Sequence, residues 1–175
     1  MKSKIGYRVW QFWKSCFDFP GEKEFSQVKE ILSPAEMDLF QQLPTPDKNH
    51  SLRVLNSLKE MEEVNLDLLK AALLHDVGKT IYPLKRLDRV FAVLMFAFFP
   101  RLAASWGTGE PAGLKRPLVI IKQHPAWGAE LAAQAGSSDL VIWLIRYHEQ
   151  DNSLETKQDQ AILYLKKLQE VDNRN

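Results

Sequence analysis

His75 and Asp76 stand side by side behind two leucines, in the run Ala72-Leu73-Leu74-His75-Asp76-Val77-Gly78-Lys79. Upstream, Leu66-Asp67-Leu68-Leu69-Lys70-Ala71 reads as an apolar helix with polar breaks, which carries both side chains toward an interior. A carboxylate in such a place is costly unless something charged meets it. The remaining histidines, His50, His124 and His148, each fall on or at the start of a predicted helix that also supplies core residues. Singly, each reads first as a satisfied core or surface histidine. Together, four helix-borne imidazoles that can converge on Asp76 point to a metal. On a helix, neighbouring residues point about 100° apart, so His75 and Asp76 can grip one ion from two sides or serve two ions. Imidazole and carboxylate without thiolate suit Fe, Mn, Zn, Co or Ni. One more acidic ligand is wanted, and Asp172 supplies it behind the apolar stripe of the last helix.

The elements that must hold these residues read as helices almost throughout. Ser33-Pro34-Ala35-Glu36 is a capping box with proline at the first helical position, opening a helix that ends near Pro44. Asp47 offers an N-cap for the helix that carries His50 with Val54, Leu55 and Leu58. A helix over 66–78 follows. Pro125 reads as the start of a helix that Gly136 ends. Ser138 caps the helix that leads to His148, and a last helix runs from about Asp159 to Asp172. Ile5, Val9, Trp10, Trp13 and Phe17 give the start of the chain one apolar face before Pro20-Gly21 stops it. The run 117–121 is the one strand-like stretch, and its length leaves helix open. The expected class is all-α: a helical bundle with the metal site in its core.

Length and composition frame this reading. The chain has 175 residues, 45% of them hydrophobic, and a net charge of +1, which suits a globular protein and excludes a disordered or broadly basic one. We expect one domain over 1–175, with the chemistry between 47 and 172. Cys16 is the single cysteine, so an internal disulfide and a Cys-rich zinc knuckle are excluded, and the usage suits a reducing cytoplasm. Arg8 and Lys14 interrupt the apolar stretch that a signal peptide would need at the start. The segment 83–123 stands apart with a net charge of +5 around Val90–Phe99, which holds no charge. Ten residues are too few to span a bilayer, which takes about 20. The plain reading is a buried helix with cations at its ends. The sharper ones are a lid over an anionic substrate, a homodimer contact, or a membrane-surface patch. As a border of the substrate entrance, the segment would use Lys85, Arg86, Lys115 and Arg116.

Read in order, His50, His75-Asp76 and Asp172 resemble the H…HD…D signature of the HD-domain metal-dependent phosphohydrolase superfamily. Residues 72–79 are similar to its second motif, 50–54 to its first and 163–172 to its terminal acidic motif. The stretches around His124 and His148 resemble the extra histidine motifs of the two-metal subgroup. The resemblance covers about Asp47 to Asp172. It implies a helical domain in which His50, His75, Asp76 and Asp172 hold one metal, and Asp76 bridges to a second held by His124 and His148. It also implies hydrolysis of a phosphate ester, mostly in nucleotides or nucleotide signals, with no nucleic-acid duplex as partner. Asp76 and Lys79 would be catalytic, Lys79 as a point charge on the phosphate. Arg53, one turn past His50, would meet a substrate phosphate or a supporting carboxylate. The chain departs from the cyclic-di-GMP-degrading branch: Tyr82-Pro83 lacks the preceding glycine of that branch's motif, and His148 is followed by Glu149. A symmetric dinucleoside tetraphosphate hydrolase has a similar ligand order. Two other classes stay open: a mixed-valence di-iron oxygenase of the same fold, and a non-catalytic module that uses metal for stability.

Overall fold

Ser33 stops one helix and starts the next. Its hydroxyl accepts from the Glu36 amide while the Glu36 carboxylate accepts from the Ser33 amide, so the capping box is complete and fixes where the second helix begins. The computed structural model describes residues 22–150 and 159–175. Among these lie nine α-helices and no strand: α1 (Glu22–Ile31), α2 (Pro34–Gln42), α3 (Thr45–Glu60), α4 (Leu66–Leu74), α5 (Arg86–Phe98), α6 (Pro100–Trp106), α7 (Arg116–Gln134), α8 (Asp139–Tyr147) and α9 (Asp159–Arg174). Short 3₁₀ turns cover Val77–Thr80 and Gly113–Lys115. The amphipathic start from Ile5 to Phe17, with Cys16, lies outside the described residues.

The main core gathers Leu55 and Leu58 of α3, Leu73 and Leu74 of α4, Leu144 of α8 and Leu168 of α9, all without exposed surface. A smaller cluster of Ala92, Met95, Ala103 and Leu118 joins α5 and α6 to the first turn of α7. α7 is the hub, packed on α8 and on the Val77–Thr80 turn.

Glu36 closes the bundle from within. Its side chain is 1% exposed, and both oxygens are used. One accepts from the Ser137 hydroxyl at 2.7 Å; the other accepts from the Ser33 amide and from the Lys70 ammonium at 2.8 Å. Burial alone would raise its pKa, but Lys70 and the Ser33 and Ser137 donors outweigh burial and hold it below the ordinary carboxylate value. α2, α4 and the turn before α8 are thereby tied together.

Several features differ from those the sequence suggests. α3 starts at Thr45, so Asp47 is no N-cap; it is buried in the first turn and receives both guanidinium arms of Arg89, at 2.8 and 2.7 Å. The strand-like run 117–121 is helical, and Pro125 lies inside α7 rather than at a helix start. The helix predicted over 66–78 stops at Leu74 and tightens into the 3₁₀ turn. Finally, the Val90–Phe99 run is not a buried helix: α5 shows Val93 62% exposed and Phe98 66% exposed. No helix among the described residues is long and apolar enough to cross a membrane.

Candidate metal centre

Three histidines sit where a helical hydrogen-bond ladder is broken. α4 stops one residue before His75, and α8 stops one residue before His148, so the carbonyls of their last turns lack helical amide partners. In α7 the break is Pro125, which has no N–H to give to the Ile121 carbonyl. Each imidazole fills the gap the same way. Nδ1 of His75, His124 and His148 meets the carbonyl three residues back, of Ala72, Ile121 and Ile145, at 3.0, 2.7 and 2.7 Å. A carbonyl only accepts, so each Nδ1 carries the proton and donates it. In the neutral ring this leaves Nε2 with its lone pair, turned into the space between the helices.

The four rings form a row in the order His50, His75, His148, His124, with neighbouring centroids 5.1 to 5.2 Å apart and edges toward faces. Nε2 of His124 lies 3.3 Å from Nε2 of His148 and 3.2 Å from Oδ1 of Asp76. His75 Nε2 stands 3.7 Å from Asp76 Oδ2 and 3.5 Å from Asp172 Oδ1. It is buried and has no hydrogen-bond partner. Asp172 Oδ1 is also 2.7 Å from His50 Nε2. Three sets of donor atoms therefore converge, each set within 4.8 Å: His50, His75 and Asp76; His75, His148 and Asp172; Asp76, His124 and His148.

Electrostatics match a site that wants a cation. Burial, reinforced by the neighbouring rings of His75 and His124, pushes the His148 imidazole down to about 3. His75 is also lowered by burial, against the pull of Asp76 and Asp172. At neutral pH both rings are therefore uncharged. Asp76 is 2% exposed; burial would raise it, yet its pKa is held well below the carboxylate range by Lys79 and the facing histidines. With His75 and His148 neutral, the ammonium of Lys79, 2.6 Å from Asp76 Oδ1, is the nearest full positive charge. Asp172 is likewise held low by His75 and His50 despite its burial. The donor set is thus lone pairs and carboxylates, with an orphaned imidazole nitrogen among them. Those residues fit a divalent metal of the Fe, Mn, Zn, Co or Ni kind.

The site has a closed side and an open side. His75, Asp76, His124 and His148 are sealed, whereas the side chains of His50 and Asp172 are 21% and 23% exposed. Glu149 stands on the open side with its Oε1 3.7 Å from His124 Nε2. Burial and the carboxylates of Asp76 and Asp172 raise its pKa against the pull of His124 and Lys79. Sequence reasoning passed over Glu149 as a site residue, although its place directly after His148 was a signal. It also missed Asp47, which helps hold the Lys79 ammonium charged from three residues before His50.

All six expected ligands, His50, His75, Asp76, His124, His148 and Asp172, come together. The residues expected to contact substrate are scattered. Lys79 reaches the centre, and Arg53 is half-buried on α3 beyond His50. Arg116 binds Asp88 at 3.0 Å and the Pro83 carbonyl at 2.9 Å. Lys115 lies over the Trp106 ring, and Lys85 is exposed at the start of α5. The side chain of Arg86 lies outside the described residues. The family model described as HD domain matches residues 48–174. No curated protein and no solved structure matches the chain.

Proposed function

The chain belongs to the HD domain family, and from that premise we propose that it is a phosphohydrolase that uses two divalent metals to cleave a phosphate ester, a nucleotide or nucleotide signal. One observation carries the reading: buried Nε2 lone pairs and carboxylate oxygens face one another around Asp76, with Nε2 of His75 unpartnered. Such a constellation is unfavourable by itself and favourable around cations. Asp76 belongs to two of the donor sets, which supports one ion held with His50, His75 and Asp172 and another held with His124 and His148.

Bound there, divalent metals supply charge neutralisation at the phosphoryl oxygens and an acidified water. The chain's own residues do the rest. The three Nδ1–H···O=C bonds hold the rings in one tautomer and one orientation before any ligand arrives. The sealed side keeps bulk water from the carboxylate of Asp76. The open side at His50, Asp172 and Glu149 admits the ester. Lys79, whose ammonium lies 2.6 Å from Asp76 Oδ1, would meet a phosphoryl oxygen as a point charge. Arg53 lends support from α3.

The test compares chelated protein with protein reloaded with Mn or Fe on nucleotides, dinucleoside polyphosphates and simple phosphate esters. Metal-dependent ester cleavage, with two ions per chain by elemental analysis, is the expected result. Protein that retains both ions yet cleaves no ester refutes the hydrolase and leaves a metal-stabilised module. Turnover that requires oxygen moves the chain to the oxygenases. A limit of one ion after reloading removes the second site.

A further inference from the structure

The surface of α5 and α6 is built unlike that of the other described residues. Leu87, Val90, Leu94 and Phe98 follow one another at helical spacing along α5, and the stripe faces outward: Leu87 is 81% exposed and Leu94 50%. Phe99 and Leu102 extend it around the corner into α6, both exposed. The opposite face of α5 is the one that packs, through Ala92 and Met95 on Ala103 and Leu118. A contiguous apolar surface of this kind on a folded chain marks an interaction site.

The rim says which kind. Lys85 at one end of the stripe and Arg101 at the other are exposed, and Lys115 is exposed near Trp106. The acids of the segment do not balance them: Asp88 is taken by Arg116, and Glu110 stands alone. A second copy docked by this face would set cations against cations. A sheet of anionic headgroups over hydrocarbon matches both the rim and the stripe. α5 has 13 residues, about 20 Å of helix, too short to cross a bilayer and suited to lying in its surface.

We propose that the Leu87–Phe98 stripe of α5, with the Phe99–Leu102 corner, docks on an anionic lipid surface, with Lys85 and Arg101 at the headgroups. This is independent of the reading of the metal centre. The test is co-sedimentation of the full chain with phosphatidylcholine vesicles, with and without phosphatidylglycerol. Binding to the anionic vesicles, weakening as salt rises, is expected. Leu94→Glu with Phe98→Glu should abolish it while leaving thermal midpoint and metal content unchanged. Arg101→Gln should weaken it about fivefold, the worth of one cation at such a surface. Failure to sediment with anionic vesicles overturns the proposal, as does equal binding to both vesicle types or full binding by the double variant. Self-association that the double variant abolishes, without vesicle binding, makes the face a contact between copies and overturns it too.

Discussion

Glu36 and Asp76 are both buried carboxylates, each within 2.8 Å of a lysine, and both have lowered pKa values. Their surroundings nevertheless differ in one respect that decides what each is for. Everything else around Glu36 is a donor: the Ser33 amide, the Ser137 hydroxyl. Around Asp76, apart from Lys79, the neighbours are imidazole nitrogens whose protons have been spent on backbone carbonyls. The first carboxylate is finished by the fold. The second is left with acceptors facing acceptors, and only a cation completes it.

Exchanging the two acids for their amides breaks this contrast most strongly if it is wrong. Asp76→Asn should abolish metal binding and turnover, measured by elemental analysis and ester cleavage. Glu36→Gln should leave metal per folded chain unchanged but destabilise by about 3 kcal/mol in denaturant unfolding, because the half-buried Lys70 ammonium loses its buried counter-charge. A Glu36→Gln protein that folds as well as its parent but loses metal would invert the assignment.

Adding metal sharpens it further. At a free concentration about 100 times the dissociation constant, the folded state should gain about 2.7 kcal/mol. The parent and Glu36→Gln should gain alike, and Asp76→Asn nothing. A pH series on chelated protein isolates Glu36. Its pKa is lower folded than unfolded, so its stabilisation is complete above the ordinary value of 4.5 and is lost as pH falls toward the folded value. Unfolding curves of the parent should therefore fall toward those of Glu36→Gln below that pH. Parallel curves throughout would remove Glu36 as a titrating clip. The smallest effect belongs to Pro125→Ala. The new amide N–H would compete with His124 Nδ1 for the Ile121 carbonyl, and metal affinity should weaken by about tenfold with little change in thermal midpoint. Unchanged affinity in a metal titration would show that the broken ladder does not orient the ring.

The sequence made the centre more legible than the frame around it. His50, the His75-Asp76 pair and Asp172 were readable because few residue types do this chemistry and their order is distinctive. The Ser33 box and the Gly136 stop were readable because caps act within a few residues. Pro125 was misplaced because proline most often opens a helix, and nothing local reveals that a histidine side chain will take over the bond it removes. Arg89 and Asp47 meet across 42 residues, a pairing that only the tertiary fold creates. Periodicity identified the apolar residues of 90–99 but carries no information on whether a neighbour covers them.

Gly78 and Gly128 show how finely the centre is gauged. A β-carbon on Gly78 would lie 2.0 Å from the His124 carbonyl oxygen and 2.6 Å from the Gly128 amide nitrogen, and one on Gly128 would lie 3.2 Å from the Gly78 nitrogen. Backbone rests on backbone here. The turn that bears Asp76 and the helix that bears His124 approach until main-chain atoms themselves set the stop. The span between the two halves of the ligand set is therefore fixed by something stiffer than any side chain, which can rotate out of the way. Any cation held between them would meet a span with little give along that line, set by two hydrogens where every other residue would place carbon.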